Sequence, residues 1–162
     1  RALMHLDTIF TRISEHEVLI FPPILDQDFD KHLNKSFIFE NNSNKPKEQN
    51  KNLITLLNEN GLNIKYIKCG SDSAIMQQRE QWTDGANAFA LSPGKIIGYD
   101  CNKYTIKELA LSGYKAISSD EYIDNYSKYN ESEDKLVITI KGSELSRGRG
   151  GPRCLTLPIF RV

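Results

Sequence analysis

The chain is poor in the residues that build specialised scaffolds: three cysteines, three histidines, two methionines and one tryptophan in 162 residues. Cys69, Cys101 and Cys154 are odd in number, far apart and without a CxxC pair. That argues against both a disulfide framework and a structural zinc site with closely spaced ligands. Three free thiols suit a reducing compartment, so a cytoplasmic protein is expected. No charge of either sign prevails, with 21 basic against 21 acidic side chains. A general nucleic-acid binder needs a basic excess to displace counterions, so no nucleic-acid partner is expected, and no acidic solvating tail. No apolar run approaches the roughly 18 residues of a membrane helix, and the start lacks a signal-peptide pattern. No membrane partner is therefore expected. The first residue is Arg1 rather than Met and reads as a processed, excised or truncated start.

What remains is enough chain for one domain with a modest core, 39% hydrophobic and 26% charged. Met4–Thr11 alternates and predicts a strand. Ser14–Glu17 reads as a turn, and Val18–Phe21 as a buried strand closed by Pro22-Pro23. Nine of the 13 asparagines lie between Asn34 and Asn63, and 41–46 holds no apolar residue, so about 40–50 predicts a mobile surface loop. Ile54, Leu56, Leu57 and Gly61 predict a short helix capped by Asn50. A strand at Ile64–Ile67, a turn at Cys69–Asp72 and a helix over Ser73–Trp82 follow.

Asn87–Leu91 and Lys95–Tyr99 flank Ser92-Pro93-Gly94 as a second hairpin. Thr105 with Glu108 reads as a capping box, and Gly113 as the helix stop. Beyond it come a helix over Tyr122–Tyr129, a strand at Leu136–Ile140, a flexible glycine loop at Gly148–Gly151 and a last strand at Leu155–Val162. The order hairpin, helix, strand thus occurs twice, with Ala116-Ile117 or Leu136–Ile140 as the third strand of the second copy. Such an α/β unit of ββαβ type cannot bury its own face and should stack on like units, making the chain part of a ring or array.

Two clusters suggest chemistry. In a strand, positions i and i+2 share a face, so His5 and Asp7 would present a base and a carboxylate together; the alternative is a surface alternation around a buried Leu6. Cys154 follows a glycine-rich loop, and four of the seven arginines fall between Arg147 and Arg161. Nearby Arg149 and Arg153 would favour a thiolate nucleophile; the alternative is a buried structural cysteine at a strand start. Nucleophile and base need to meet only in space, which makes the two ends of the chain one candidate constellation. Arg147–Gly151 has the look of a single RGG tract, weak in a neutral chain. Asp84-Gly85-Ala86-Asn87 reads as a ligand loop or as a plain turn.

The stretches Met4–Thr8, Arg79–Asn87, Pro93-Gly94 with Gly98-Tyr99-Asp100 and Asn102, and Gly142–Cys154 together resemble the C-terminal part of arginine deiminase. The resemblance runs along most of the chain. It implies membership of the guanidino-group-modifying superfamily, with a propeller of five ββαβ modules around a central site. It also implies conversion of L-arginine and water to L-citrulline and ammonia without metal or organic cofactor. On it, Cys154 matches the nucleophile, His5 the general acid/base, Asp7 a carboxylate that holds guanidinium nitrogens, and Arg149 a loop arginine that binds and covers the substrate.

Residues 1–162 would then be the C-terminal part of the catalytic domain. The remaining carboxylates would come from an N-terminal part, and a homo-oligomer is expected when the enzyme is complete. The segments near Asn41 and over 122–134 look like insertions, and Cys101 stands where the family often has Arg. Two other functions compete: a non-catalytic remnant that binds a guanidino ligand or a partner, and an amidinotransferase of the same superfamily. Gly-Arg-Gly-Gly-Pro-Arg-Cys at 148–154 is the deiminase form.

Overall fold

A computed structural model of the chain describes residues 3–25, 36–41, 45–157 and 159–160. The readings that touch Arg1, Asn34, 42–44, 158 and 161–162 lie outside those residues. The first unit opens with the antiparallel hairpin β1 (Phe10–Arg12) and β2 (Glu17–Ile20). It continues through α1 (Pro22–Leu25), β3 (Ser36–Ile38), β4 (Lys47–Gln49) and α2 (Leu53–Glu59). β5 (Lys65–Lys68) then returns parallel to β2, giving a three-stranded sheet of order β1-β2-β5.

After α3 (Ala74–Trp82) the path repeats. A hairpin of β6 (Phe89–Ser92) and β7 (Lys95–Tyr99) turns at Pro93-Gly94, where Gly94 has φ +79°. Then come α4 (Lys103–Leu111), β8 (Lys115–Ser118), α5 (Ser119–Asp124), α6 (Tyr126–Glu131) and β9 (Leu136–Ile140). Both alternatives for the third strand are realised: the order is β6-β7-β9-β8, with β9 parallel to each neighbour. β9 takes the inner place because Leu136, Val137 and Ile138 are all buried, as a strand covered on both faces requires. β8, mostly exposed, is left at the edge.

The two units share one core. Ile13, Leu19 and Ile67 from the first pack with Ala88, Ile96, Leu109, Tyr114 and Val137 from the second. Each fully buried aliphatic side chain there contributes about 1.5–3 kcal/mol. The Gly94 amide also donates to the Ile13 carbonyl at 2.9 Å, tying one hairpin to the other. Among the described residues, no helix is long and apolar enough to cross a membrane.

Several expectations are corrected. The predicted strand over Met4–Thr11 survives only from Phe10; Leu6–Thr8 is a 3-10 turn. The segment about 40–50 is not all loop, because β4 pairs antiparallel with β3 through main-chain groups that need no apolar side chain. α2 is capped by Asn52, not Asn50: Asn52 Oδ1 accepts from the Thr55 amide at 2.8 Å. Thr105 lies inside α4 rather than capping it. The buried Glu80 carboxylate of α3 takes that role, accepting from the Tyr104 and Thr105 amides at 2.9 and 2.7 Å. The single helix over Tyr122–Tyr129 is two helices that break at Asn125. Gly113 does end α4, with φ +90°. The last predicted strand is irregular at 155–157 and 159–160, where Leu155, Leu157, Ile159 and Phe160 are exposed.

Candidate active site

Because the first strand starts late, His5 and Asp7 do not meet by strand alternation. His5 is extended, and the chain then tightens into a turn closed by the Thr8 amide and Thr8 Oγ1, both donating to the His5 carbonyl. Thr11 Oγ1 holds the Asp7 carbonyl at 3.1 Å, and Gln81 Nε2 from α3 reaches the Thr8 carbonyl at 3.4 Å. The result still brings both side chains to Cys154. His5, Asp7 and Cys154 each offer a donor atom, and these atoms lie within 4.8 Å of one another. Cys154 Sγ is 3.8 Å from Asp7 Oδ2, across 147 positions of sequence.

Cys154 sits in a turn over 152–155 and is exposed, so it is not the buried cysteine of a strand start. The contrast with Cys69 is instructive: burial pushes that thiol up to about 12 and keeps it protonated.

The Cys154 turn is gripped by the loop after α3. Asp84 has φ +59°, and the Asn87 amide donates to the Asp84 carbonyl at 3.0 Å. Gly85 must be glycine because a Cβ there would stand 2.8 Å from the Glu80 carbonyl oxygen and 2.9 Å from Cys69 Sγ. From this tight turn, Asp84 Oδ2 accepts from the Gly150 amide at 3.3 Å and Asn87 Oδ1 from the Arg153 amide at 2.9 Å. Asn87 Nδ2 donates to Cys154 Sγ at 3.2 Å. Tyr99 Oη donates to the Gly150 carbonyl at 2.6 Å. Burial, then the charges of Asp84 and Cys154, push the Tyr99 phenol up to about 12, so it remains a donor. Burial also raises the Asp84 carboxyl above its ordinary range, with the Gly150 amide and Arg149 pulling it down and Asp7 pushing it up.

Arg153 Nε lies 3.7 Å from Asp7 Oδ2. Asp7 Oδ1 is buried and, among the described residues, accepts no hydrogen bond. A buried acceptor left open in this way is unusual and suits a ligand N–H. Arg149 is placed differently from the other sequence-derived candidates. Its guanidinium stacks 4.3 Å above the Trp82 ring, and its Nη1 donates to the Trp82 carbonyl at 3.2 Å. Its backbone, at φ +66°, lies in a region that non-glycine residues seldom occupy.

A thiol, an imidazole and a carboxylate so arranged can attack an electrophilic carbon, move a proton and hold a planar cation. The same three donors could ligate a metal with an open position. The Arg153 guanidinium, with Nε 3.7 Å from Asp7 Oδ2, already places one cation beside that carboxylate and opposes a second. The sequence offered Asp84 and Asn87 as parts of a ligand loop or a plain turn and did not connect them, or Tyr99, with Cys154. The Asp-Gly-Ala-Asn turn was legible; what it grips was not.

A family model described as arginine deiminase matches residues 1–161. The chain is 39% identical over 162 residues to the arginine deiminase of Mycoplasma capricolum subsp. capricolum, covering 99% of this chain and 34% of that protein. It is 34% identical over 165 residues to the one from Listeria welshimeri and 36% identical over 163 residues to the one from Streptococcus pneumoniae, with the same shares covered. The chain therefore spans about a third of the length of the curated relatives it matches.

Proposed function

The chain belongs to the arginine deiminase family, and from that premise we propose that it supplies the Cys–His–Asp portion of a site that hydrolyses L-arginine to L-citrulline and ammonia. The convergence of His5, Asp7 and Cys154 donor atoms within 4.8 Å, from opposite ends of the chain, carries the reading.

A guanidinium is a weak electrophile because its charge is shared over three nitrogens. Asp7 holds its nitrogens in plane, and its open Oδ1 is the acceptor that supports this role. The Cys154 thiolate attacks the guanidinium carbon from its face, forming a C–S bond. His5 protonates the departing nitrogen, which leaves as ammonia. The resulting amidino-thioether is attacked by a water that His5 deprotonates. Collapse breaks the C–S bond, returns the thiolate and leaves the ureido group of citrulline. Arg149 binds and covers the substrate when its loop closes. No metal or organic cofactor takes part.

In this reading residues 1–162 form the C-terminal part of the catalytic domain, with inserted segments near 40–50 and over 122–134. The two stacked ββαβ units are two of five modules in a propeller. An N-terminal part of the same enzyme supplies the remaining carboxylates, so the chain is competent only in its company, and the completed enzyme is a homo-oligomer. The exposed apolar side chains of Leu155, Leu157, Ile159 and Phe160 support a covering neighbour. Three free thiols support a cytoplasmic setting.

Cys154→Ala in the complete enzyme should abolish citrulline formation and leave arginine binding largely intact. His5→Ala should cost about 10²–10⁴-fold in both halves of the reaction. Retained turnover without the thiol would sink the assignment; binding without citrulline by the unmutated enzyme would favour the non-catalytic remnant.

A further inference from the structure

We infer that Tyr99 is a positioning residue: it pins both ends of the loop 142–150 and makes Gly150 a fixed pivot, so that the loop bearing Arg149 moves without carrying Cys154 with it. Tyr99 ends β7 and is 1% exposed, so neither its ring nor its hydroxyl has room to follow a moving loop. At the near end, Gly142 lies against the ring: a Cβ there would overlap Cδ1, Cγ and Cε1, the farthest of them at 2.5 Å. At the far end, Tyr99 Oη donates to the Gly150 carbonyl at 2.6 Å, across 51 positions of sequence. Asp84 Oδ2 accepts from the Gly150 amide at 3.3 Å. Both main-chain polar groups of Gly150 are thus held by side chains from elsewhere in the fold, at a φ of +148° that other residues rarely adopt.

The two flanks of Gly150 are tied differently. On the loop side, the amides of 146–149 donate to carbonyls within 142–146, at 3.0–3.2 Å. On the other side, the Arg153 amide is held by Asn87 Oδ1 at 2.9 Å, and Gly151 packs on the same asparagine. A short loop that closes on its own bonds moves as a body about its ends, whereas a turn bonded to the fold stays with the fold. A buried tyrosine that only filled the core could satisfy its hydroxyl on any acceptor. Here ring and hydroxyl meet the two ends of one loop, which fixes the span between them.

The inference rests on the deiminase reading for its consequence in turnover; its hydrogen-exchange arm does not. In the complete polypeptide that carries this chain, Tyr99→Phe keeps the ring on Gly142 and deletes the bond to Gly150. Deuterium uptake by peptides spanning 150–155 should quicken about tenfold. With L-arginine, kcat should fall about tenfold while the half-saturating concentration stays within about twofold, because binding contacts remain and the attacking atom is misplaced. Tyr114→Phe is the matched control: it deletes another buried hydroxyl bond, to Glu17 Oε2 at 2.9 Å, and should leave both readouts at the parent values. Asp84→Gly, which suits φ +59°, should open 150–155 as Tyr99→Phe does, and Asp84→Asn, which keeps an acceptor oxygen, should not. Parent-like uptake in Tyr99→Phe would overturn the inference. So would equal changes in Tyr114→Phe, the mark of a general loss of stability, or an Asp84→Asn as open as Asp84→Gly. If the parent makes no citrulline yet Tyr99→Phe opens 150–155 and Tyr114→Phe does not, the deiminase reading fails and the Tyr99 assignment stands.

Discussion

Gly151→Ala gives the sharpest test of how Cys154 is held. The added methyl group would stand within 2.5 Å of three atoms of the Asn87 side chain, where ordinary contact begins near 3.4 Å. The overlap is therefore about 1 Å, and Asn87, 1% exposed, cannot swing into solvent to relieve it. Something must shift: either the amide leaves Cys154 Sγ and the Arg153 N–H, or the turn over 152–155 moves away with the thiol. Overpacking of this kind costs about 1–3 kcal/mol, and losing the bond to the Arg153 amide adds about 1 kcal/mol. A displacement of about 1 Å at reacting atoms is worth roughly 10²-fold in rate.

On the proposed function, citrulline formation by the complete protein should accordingly fall about 10²-fold, with slower iodoacetamide labelling of Cys154. Gly148→Ala is the matched control, since nothing lies within 4 Å of a Cβ at that position. It should stay within about 0.5 kcal/mol of the parent in stability. Wild-type turnover and labelling in Gly151→Ala would refute the steric argument. Equal damage from Gly148→Ala would show that the loop needs flexibility rather than close fit.

Arg149→Ala should raise the arginine concentration needed for half-maximal rate while leaving the pH profile of Cys154 labelling unchanged; an upward-shifted profile would instead assign Arg149 to the thiol. Prolonged chelation should leave citrulline formation intact, and a loss restored by added divalent metal would mean that His5, Asp7 and Cys154 act as ligands. Glu17 is the pH-dependent strut of the fold. Burial works to raise its carboxyl, but hydrogen bonds from Lys135, Tyr114 and Ser14, at 2.7, 2.9 and 3.0 Å, outweigh that and lower it. Its stabilisation is therefore present above the ordinary glutamate range of about 4.3 and lost as pH falls through the lowered value. Glu17→Gln should flatten the acid limb of an unfolding curve, and an unchanged limb would show that the network contributes nothing.

Local pattern was enough wherever a segment's own side chains decide its shape. Pro93-Gly94 between two apolar runs defined the second hairpin, Gly113 ended α4, and Leu136–Ile140 matched β9 residue for residue. The residues of the candidate site were legible too, because Cys154 after a glycine loop and His5 beside Asp7 are recognisable as types. Tertiary structure decided the rest, for one physical reason: the deciding partner lies far along the chain and leaves no periodic mark near the residue it controls. Glu80 caps α4 from another helix, so a cap sought near Thr105 was misplaced. β9 entered between β7 and β8 because its apolar faces needed cover on both sides. His5 and Asp7 reach Cys154 through a 3-10 turn that a β-rich alternation conceals. Asn87 meets its sulfur across 67 positions, a contact of two polar atoms that only the packed loops bring together.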